Sequence, residues 1–193
     1  MWRMTRMTVP AILMIVAACG ELPGPTESGE ITTSVNSMNE SDIDSFGFVS
    51  KDENISNESG NPWGRFIDTS ESVCGGSPTG FEVLFVTLSL DTKRSDIDGL
   101  EDVFTGPVTV YFASTQGSDQ DATQVDIAGA SSVSGTGPVS LEILSTRAEL
   151  QVLHERLVGG DFHVGIRGTT DRTGEDSFSM TPQIVFRCRA FCD

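Results

Sequence analysis

The sequence predicts an all-β, mainly antiparallel protein. The expected architecture is a two-layer β-sandwich of about six to eight strands within residues 73–193, with one crossover helix near 147–158. Three observations carry this. Short apolar runs with a period of two recur between Gly, Pro, Asn and Asp turn signals. A single segment shows helical spacing. The 193 residues include 20 Gly and 8 Pro at 37% hydrophobic content, a composition poor for a helical bundle. The strands do not alternate with helices, so a doubly wound sheet is not expected. A small β-barrel is the alternative way to close such strands.

The strongest strand is 81–90, FEVLFVTLSL. Leu84, Val86, Leu88 and Leu90 recur on one face and Val83, Phe85 and Thr87 fill the other. That pattern reads as burial on both faces for part of the length. A second strand, 108–112, starts after Pro107. Weaker strands are expected at 124–128 and 131–134, followed by a turn at 135–138. Residues 139–144 read as a strand with Val139, Leu141 and Ile143 on one face. Thr146 and Glu149 fit a capping box, Leu150, Leu153 and Leu157 share a helical face, and Gly159-Gly160 supplies the stop. Strands at 162–166 and 177–189 follow, separated by a turn at 171–174. In the last strand Ile184, Phe186 and Cys188 share a face, and Pro182 implies a sheet edge or a bulge.

Residues 19–72 have a different texture. Positions 20–72 hold 11 acids against Lys51 and Arg65, and they are rich in Ser, Asn, Gly and Thr. Alone, such a segment buries too little surface to offset its ordering entropy, so a largely disordered tether is expected. Three apolar stretches stand out within it: 30–35, 46–49 and 62–67, the last a strap packing on the domain edge.

The N-terminus carries the most specific signal. Arg3 and Arg6 precede an apolar run at 9–18 that is too short to span a bilayer core of ~30 Å. A charged start, a short apolar middle and small residues at the end make a secretory signal. Its end, Val16-Ala17-Ala18-Cys19-Gly20, resembles the lipobox of bacterial lipoproteins. The resemblance covers residues 1–20. It implies that residues 1–18 are a signal peptide, that Cys19 is lipidated through sulfur and becomes the mature N-terminus, and that the protein is attached to the cell envelope outside the cytoplasm. In a host with two membranes, Gly20 after the cysteine implies the outer one. The mature chain keeps 10 bases and 28 acids. An acidic body of that kind is repelled by anionic head groups and is expected to stand off the membrane.

Formal charge is −16 overall, which argues against nucleic-acid binding, since that needs a basic face to displace counterions. With Cys19 committed to lipid, Cys74, Cys188 and Cys192 remain. A bridge from Cys74 to Cys192, or alternatively to Cys188, would join the first and last elements of the domain. The one candidate metal site is Asp96, Asp98, Glu101 and Asp102, hard oxygen ligands suited to Ca²⁺, beside Gly99. Their spacing does not match the twelve-residue calcium loop, and a solvated acidic loop is the competing reading. Neither His154, on the helix, nor His163, expected to face solvent, sits in a recognisable catalytic motif, and no catalytic residue or resident cofactor is expected. Tyr111 and Trp63 are candidate aromatics for a binding patch or for the core. The reading is a lipid-anchored β-sandwich with a structural, binding or adhesion role toward a protein or glycan. The alternatives are an envelope-polymer hydrolase with a carboxylate-based site, and a Ca²⁺-stabilised adhesion module. Convergent carboxylates, or a carboxylate with His154 or His163, would favour the hydrolase; an exposed aromatic on a flat or grooved surface would favour binding.

Overall fold

A computed structural model describes residues 24–56, 61–116 and 122–192 of the chain. The chain begins with strands β1 (Thr26–Glu27), β2 (Ile31–Ser34), β3 (Met38–Asn39) and β4 (Phe48–Ser56), then helix α1 (Pro62–Cys74). Strands β5 (Gly80–Leu90), β6 (Val108–Ala113), β7 (Gln124–Ala130), β8 (Val139–Ser140) and β9 (Glu142–Ile143) follow. Two short helices, α2 (Arg147–Leu150) and α3 (His154–Gly159), precede β10 (Asp161–Thr169), β11 (Ser179–Met180) and β12 (Pro182–Phe191). One sheet has the order β1-β12-β5-β8 with β2 also on β12, and the other has the order β4-β10-β6-β7-β9. A third, small sheet pairs β3 with β11. All pairings are antiparallel and no sheet closes on itself, so the fold is a sandwich and not a barrel.

The core lies between the inward faces of the two large sheets. Ile184 and Phe186 of β12 and Val86 and Leu88 of β5 are buried, as are Val110 and Phe112 of β6 and Phe162 and Ile166 of β10. Rings meet across the layers: Phe112 and Phe186 are 5.4 Å apart between centroids, edge to face. The double-faced pattern of 81–90 has a specific cause. The β5–β12 register shifts between Arg187 and Cys188, so Phe85 opposes Arg187 while Val83 opposes Cys188, and Leu84 is the extra residue of a bulge. Phe81 and Val83 point inward before it, and Val86, Leu88 and Leu90 point inward after it. From Val86 to Leu88 both faces are buried, as the sequence pattern implies, and along the rest of the strand the buried face changes parity at the bulge. The apolar outward residues are left half-buried at Leu84 and Phe85.

Several expectations need correction. The tether is mostly absent: residues 26–56 supply four strands, and the expected boundary at 72/73 runs through α1. Disorder is the right default for this segment in isolation. Here each strand extends a sheet that downstream residues already form. Ile31, Val35, Met38, Val49 and Ile55 are thereby buried. The stretch at 62–67 is a helix and not a strap. Asn61 caps it by accepting the Trp63 N–H at 2.9 Å, Pro62 occupies the first turn, and Gly75 ends it at φ 68°. Trp63, Phe66, Ile67 and Ser70 form its buried face. Residues 131–134 form a loop, although Val133 is buried. The 139–144 segment is not one strand. It crosses between layers, with β8 on β5 and β9 on β7, hinged at buried Leu141. Pro182 is not on an edge: β12 is flanked on both sides, and Pro182 is tolerated as its first residue. The helix near 147–158 forms in two pieces, with the Thr146–Glu149 capping box and a left-handed Gly160 stop.

Cys74 and Cys192 are joined, with Cα atoms 5.1 Å apart and a sequence separation of 118. Cys188 is a buried free thiol whose titration burial pushes up. Replacing Cys74 and Cys192 together by Ser is expected to lower unfolding stability by about 3–5 kcal/mol, since the bridge constrains a long loop in the unfolded chain. Urea unfolding of the oxidised protein and the double variant measures this; coincident midpoints would show the bridge to be structurally idle.

Candidate binding groove

The outward face of the β4-β10-β6-β7 sheet is polar where strand alternation places it. Ser50, Asp52 and Asn54 of β4 align with His163, Gly165 and Arg167 of β10, and these with Tyr111 of β6 and Asp126 of β7. Gly165 opposes both Asp52 and Tyr111. A Cβ there would collide with the Tyr111 ring, so the missing side chain is what lets the ring lie across β10. The Tyr111 hydroxyl donates to Asp52 Oδ2 at 3.3 Å and meets Ser50 Oγ at 3.3 Å. The Arg167 guanidinium sits 5.3 Å from the ring centroid and reaches Asp126 Oδ1 at 2.6 Å and Gln124 Oε1 at 2.7 Å. His163 Nδ1 lies 2.8 Å from Asp52 Oδ1. Against a carboxylate oxygen Nδ1 is the donor, and Nε2 is the ring's other nitrogen, turned away from Asp52.

Tyr111 is thus buried on a sheet face made otherwise of polar residues, at 1% exposure. Burial raises its pKa to about 12; the Ser50 hydrogen bond opposes this and the negative charge of Asp52 adds to it.

Beside this network, along β4, runs a groove of about 530 Å³ whose walls include Asp42, Phe48, Ser50, Lys51, Asp52 and Gln116. Lys51 Nζ and Asp42 Oδ1 pair at 2.8 Å across it. At one end the chain makes a tight turn at 44–48. Asp44 Oδ1 accepts the N–H groups of Phe46 (2.8 Å) and Phe48 (2.9 Å), and Gly47 takes φ 77°. The Gly47 carbonyl accepts the Thr170 N–H at 2.9 Å. A second hollow of about 430 Å³ lies on the other side of the turn, against Arg172 and Thr173. On this turn Phe46 is 85% exposed and Phe48, which lines the groove, 47%.

The expected sites fare differently. Trp63 and Tyr111 are both buried, and the exposed aromatics among the described residues are Phe46 and Phe48, from the segment read as tether. His163 does not face open solvent: its side chain is 21% exposed and turned onto Asp52. His154 is half-buried with Nε2 at 2.8 Å from the Pro78 carbonyl. The acidic loop does not converge on a cation. Asp96 accepts the Ser179 N–H, Glu101 accepts the Gly135 N–H, and Asp102 accepts those of Asp98 and Gly99. Among the described residues no group of three or more His, Cys, Asp or Glu is placed to hold a metal ion. Cys19 lies outside the described residues. Among those residues, no helix is long and apolar enough to cross a membrane. The turn was missed, although Asp-Ser-Phe-Gly-Phe carries an Asx-turn signature with a glycine in fourth place that could have marked it; the Asp52–His163 pair, 111 residues apart, has no such local signal.

Tyr111 is the sole tyrosine, so its titration is isolated. Its proton is held more tightly in the folded state, about 12 against 10.0, so stability should fall as pH rises through that window. The loss is at most roughly 2–3 kcal/mol. Denaturant midpoints between pH 9 and pH 12 should decline less steeply in Tyr111→Phe than in the native protein; parallel declines would contradict this assignment.

No protein-family model matches the chain, and none of the curated proteins compared with it does.

Proposed function

We propose that the protein is a binding module of the bacterial envelope, held by lipid on Cys19, that contacts a protein or glycan partner through the 44–48 turn and the groove beside it. The observation that carries this reading is Phe46. An aromatic side chain left 85% in water costs hydrophobic free energy, and the backbone that carries this one is held by Asp44 Oδ1, which accepts the N–H groups of Phe46 and Phe48. A rigid anchor binds without the entropy loss of ordering a loop. The groove supplies the polar surround expected of such an anchor: Lys51 and three carboxylates, Asp42, Asp44 and Asp52. The anchoring half of the reading is supported by the lipobox-like sequence at 16–20.

The test uses the mature chain recovered from membranes, with the mass of its N-terminal peptide reporting acylation of Cys19. With the acyl chains masked by detergent and the envelope stripped of lipid, Phe46→Ala should weaken co-sedimentation with the remaining envelope polymer and protein of the native host by at least about tenfold, the loss typical of a truncated hot spot, and leave the melting temperature unchanged. Equal sedimentation of variant and native chains would sink the reading.

The Asp52–His163 pair favours a second reading, an envelope-polymer hydrolase in which His163 Nε2 serves as general base and Asp52 fixes its tautomer. Release of soluble fragments from isolated envelope polymer should then fall at least about a hundredfold in His163→Gln. Absence of release by the native chain, or equal release by the variant, removes this alternative.

A further inference from the structure

We propose that the helix-capped pole of the sandwich lies against the bilayer head groups, so that the Phe46 turn points away from the membrane. The inference rests on the anchoring reading and adds an orientation to it.

The argument begins where the chain enters the fold. Thr26 opposes Ala190 and Glu27 opposes Arg189, at the end of β12. The same pole holds the Cys74–Cys192 bridge and the start of β5, where Gly80 opposes Phe191. Trp63 packs there on Phe81 and Phe162, the second residues of β5 and β10, and so fixes both sheets to one end. The Phe46 turn lies at the other end: Phe48 opposes Thr169, the last residue of β10.

Length then limits the geometry. From Cys19 to Thr26 is seven residues, which span at most ~25 Å when fully extended. The eleven residues of β5 run ~36 Å from pole to pole. The leash is shorter than the body, so the far pole cannot be turned onto the surface that holds Cys19. The tether expected from the sequence would have imposed no such limit.

Electrostatics separates an end-on pose from a sideways one. Near the point where the chain enters, three carboxylates are paired with arginine, while Glu149 of α2 accepts the Thr146 N–H. Glu27 pairs with Arg187 (3.1 Å) and Arg189 (2.6 Å), Glu82 with Arg189 (3.3 Å), and Asp161 with Arg156 (2.6 Å). In the far loops Asp96, Glu101, Asp102 and Asp176 accept backbone N–H groups in place of arginine. Anionic head groups repel such charges within a screening length of ~8–10 Å. Standing on the near pole places them beyond that range.

After loss of residues 1–18, Trp63 is the only tryptophan, and it lies ~7 Å inside the near pole by strand rise. The acylated protein is reconstituted in phosphatidylglycerol vesicles that carry a dansyl-labelled head-group lipid. Trp63 should lose most of its emission to the dansyl group. In Phe46→Trp, which adds a donor at an exposed position, the added emission should be largely retained. Equal transfer from both positions would overturn the orientation in a sample whose N-terminal peptide mass shows acylated Cys19. A mass without acyl chains would instead sink the anchoring reading, and the orientation with it.

Discussion

The architecture depends on where one indole sits. Trp63 is fully buried, packs on Phe66, Phe81, Phe162 and Phe186, and donates from Nε1 to the Leu157 carbonyl at 2.9 Å. From α1 it touches both sheets and, through Leu157, α3. The hydrogen bond matters as much as the area: an indole N–H without a partner in this apolar setting would cost about 1–3 kcal/mol. A residue from early in the chain thereby closes a core whose other members lie downstream. That contact makes the acidic N-terminal third part of the domain.

The same logic of position governs the polar face. Alternation along β4, β10, β6 and β7 sends Val49, Val164, Phe112 and Val125 inward and Asp52, His163, Tyr111 and Asp126 outward. Tyr111 then lies on the wrong side for a buried ring. Its burial is achieved by a bare Gly165 beneath it and by Arg167, Asp52 and Ser50 around it. The result is a rigid, hydrogen-bonded plate beside a groove, a surface whose side chains are already ordered before any ligand arrives.

Much of the fold was legible from residues 80 onward. Period-two runs predicted β5, β6, β7, β10 and β12, and the capping box with its leucines predicted α2 and α3, because these signals are local. The Cys74–Cys192 bridge was legible because the two cysteines open and close the apolar part of the sequence. What was missed is non-local. The bulge at Leu84 hides in a continuous apolar run, and only its partner strand reveals the change of parity. The sheet-switching at Leu141 looks like an ordinary strand when read without neighbours. The strands in 26–56 are stable only as additions to sheets formed later in the chain. The site suffered most, since Asp52, Tyr111 and His163 come from three separate strands and the Phe46 turn from a segment read as disordered.

The acidity of the chain acquires a structural meaning from its hydrogen bonds. After loss of residues 1–18, 28 carboxylates face 10 cationic side chains, so most cannot be neutralised by ion pairing. Many instead accept backbone N–H groups at turns and helix starts: Asp42 at Asn39, Asp44 at Phe46, Asp102 at Gly99, Glu149 at Thr146 and Asp176 at Thr173. A carboxylate that accepts an amide is favoured in its charged form, and hydrogen bonds from the Thr146 and Thr173 amides hold Glu149 and Asp176 below their ordinary pKa. These bonds fix loops that have little apolar surface of their own. The carboxylates of 96–102 look like metal ligands in sequence, yet three of the four are already engaged in different directions by that task. Acid content here replaces both cations and hydrophobic burial as the means of ordering loops, which leaves an exposed apolar side chain such as Phe46 standing out against a charged background.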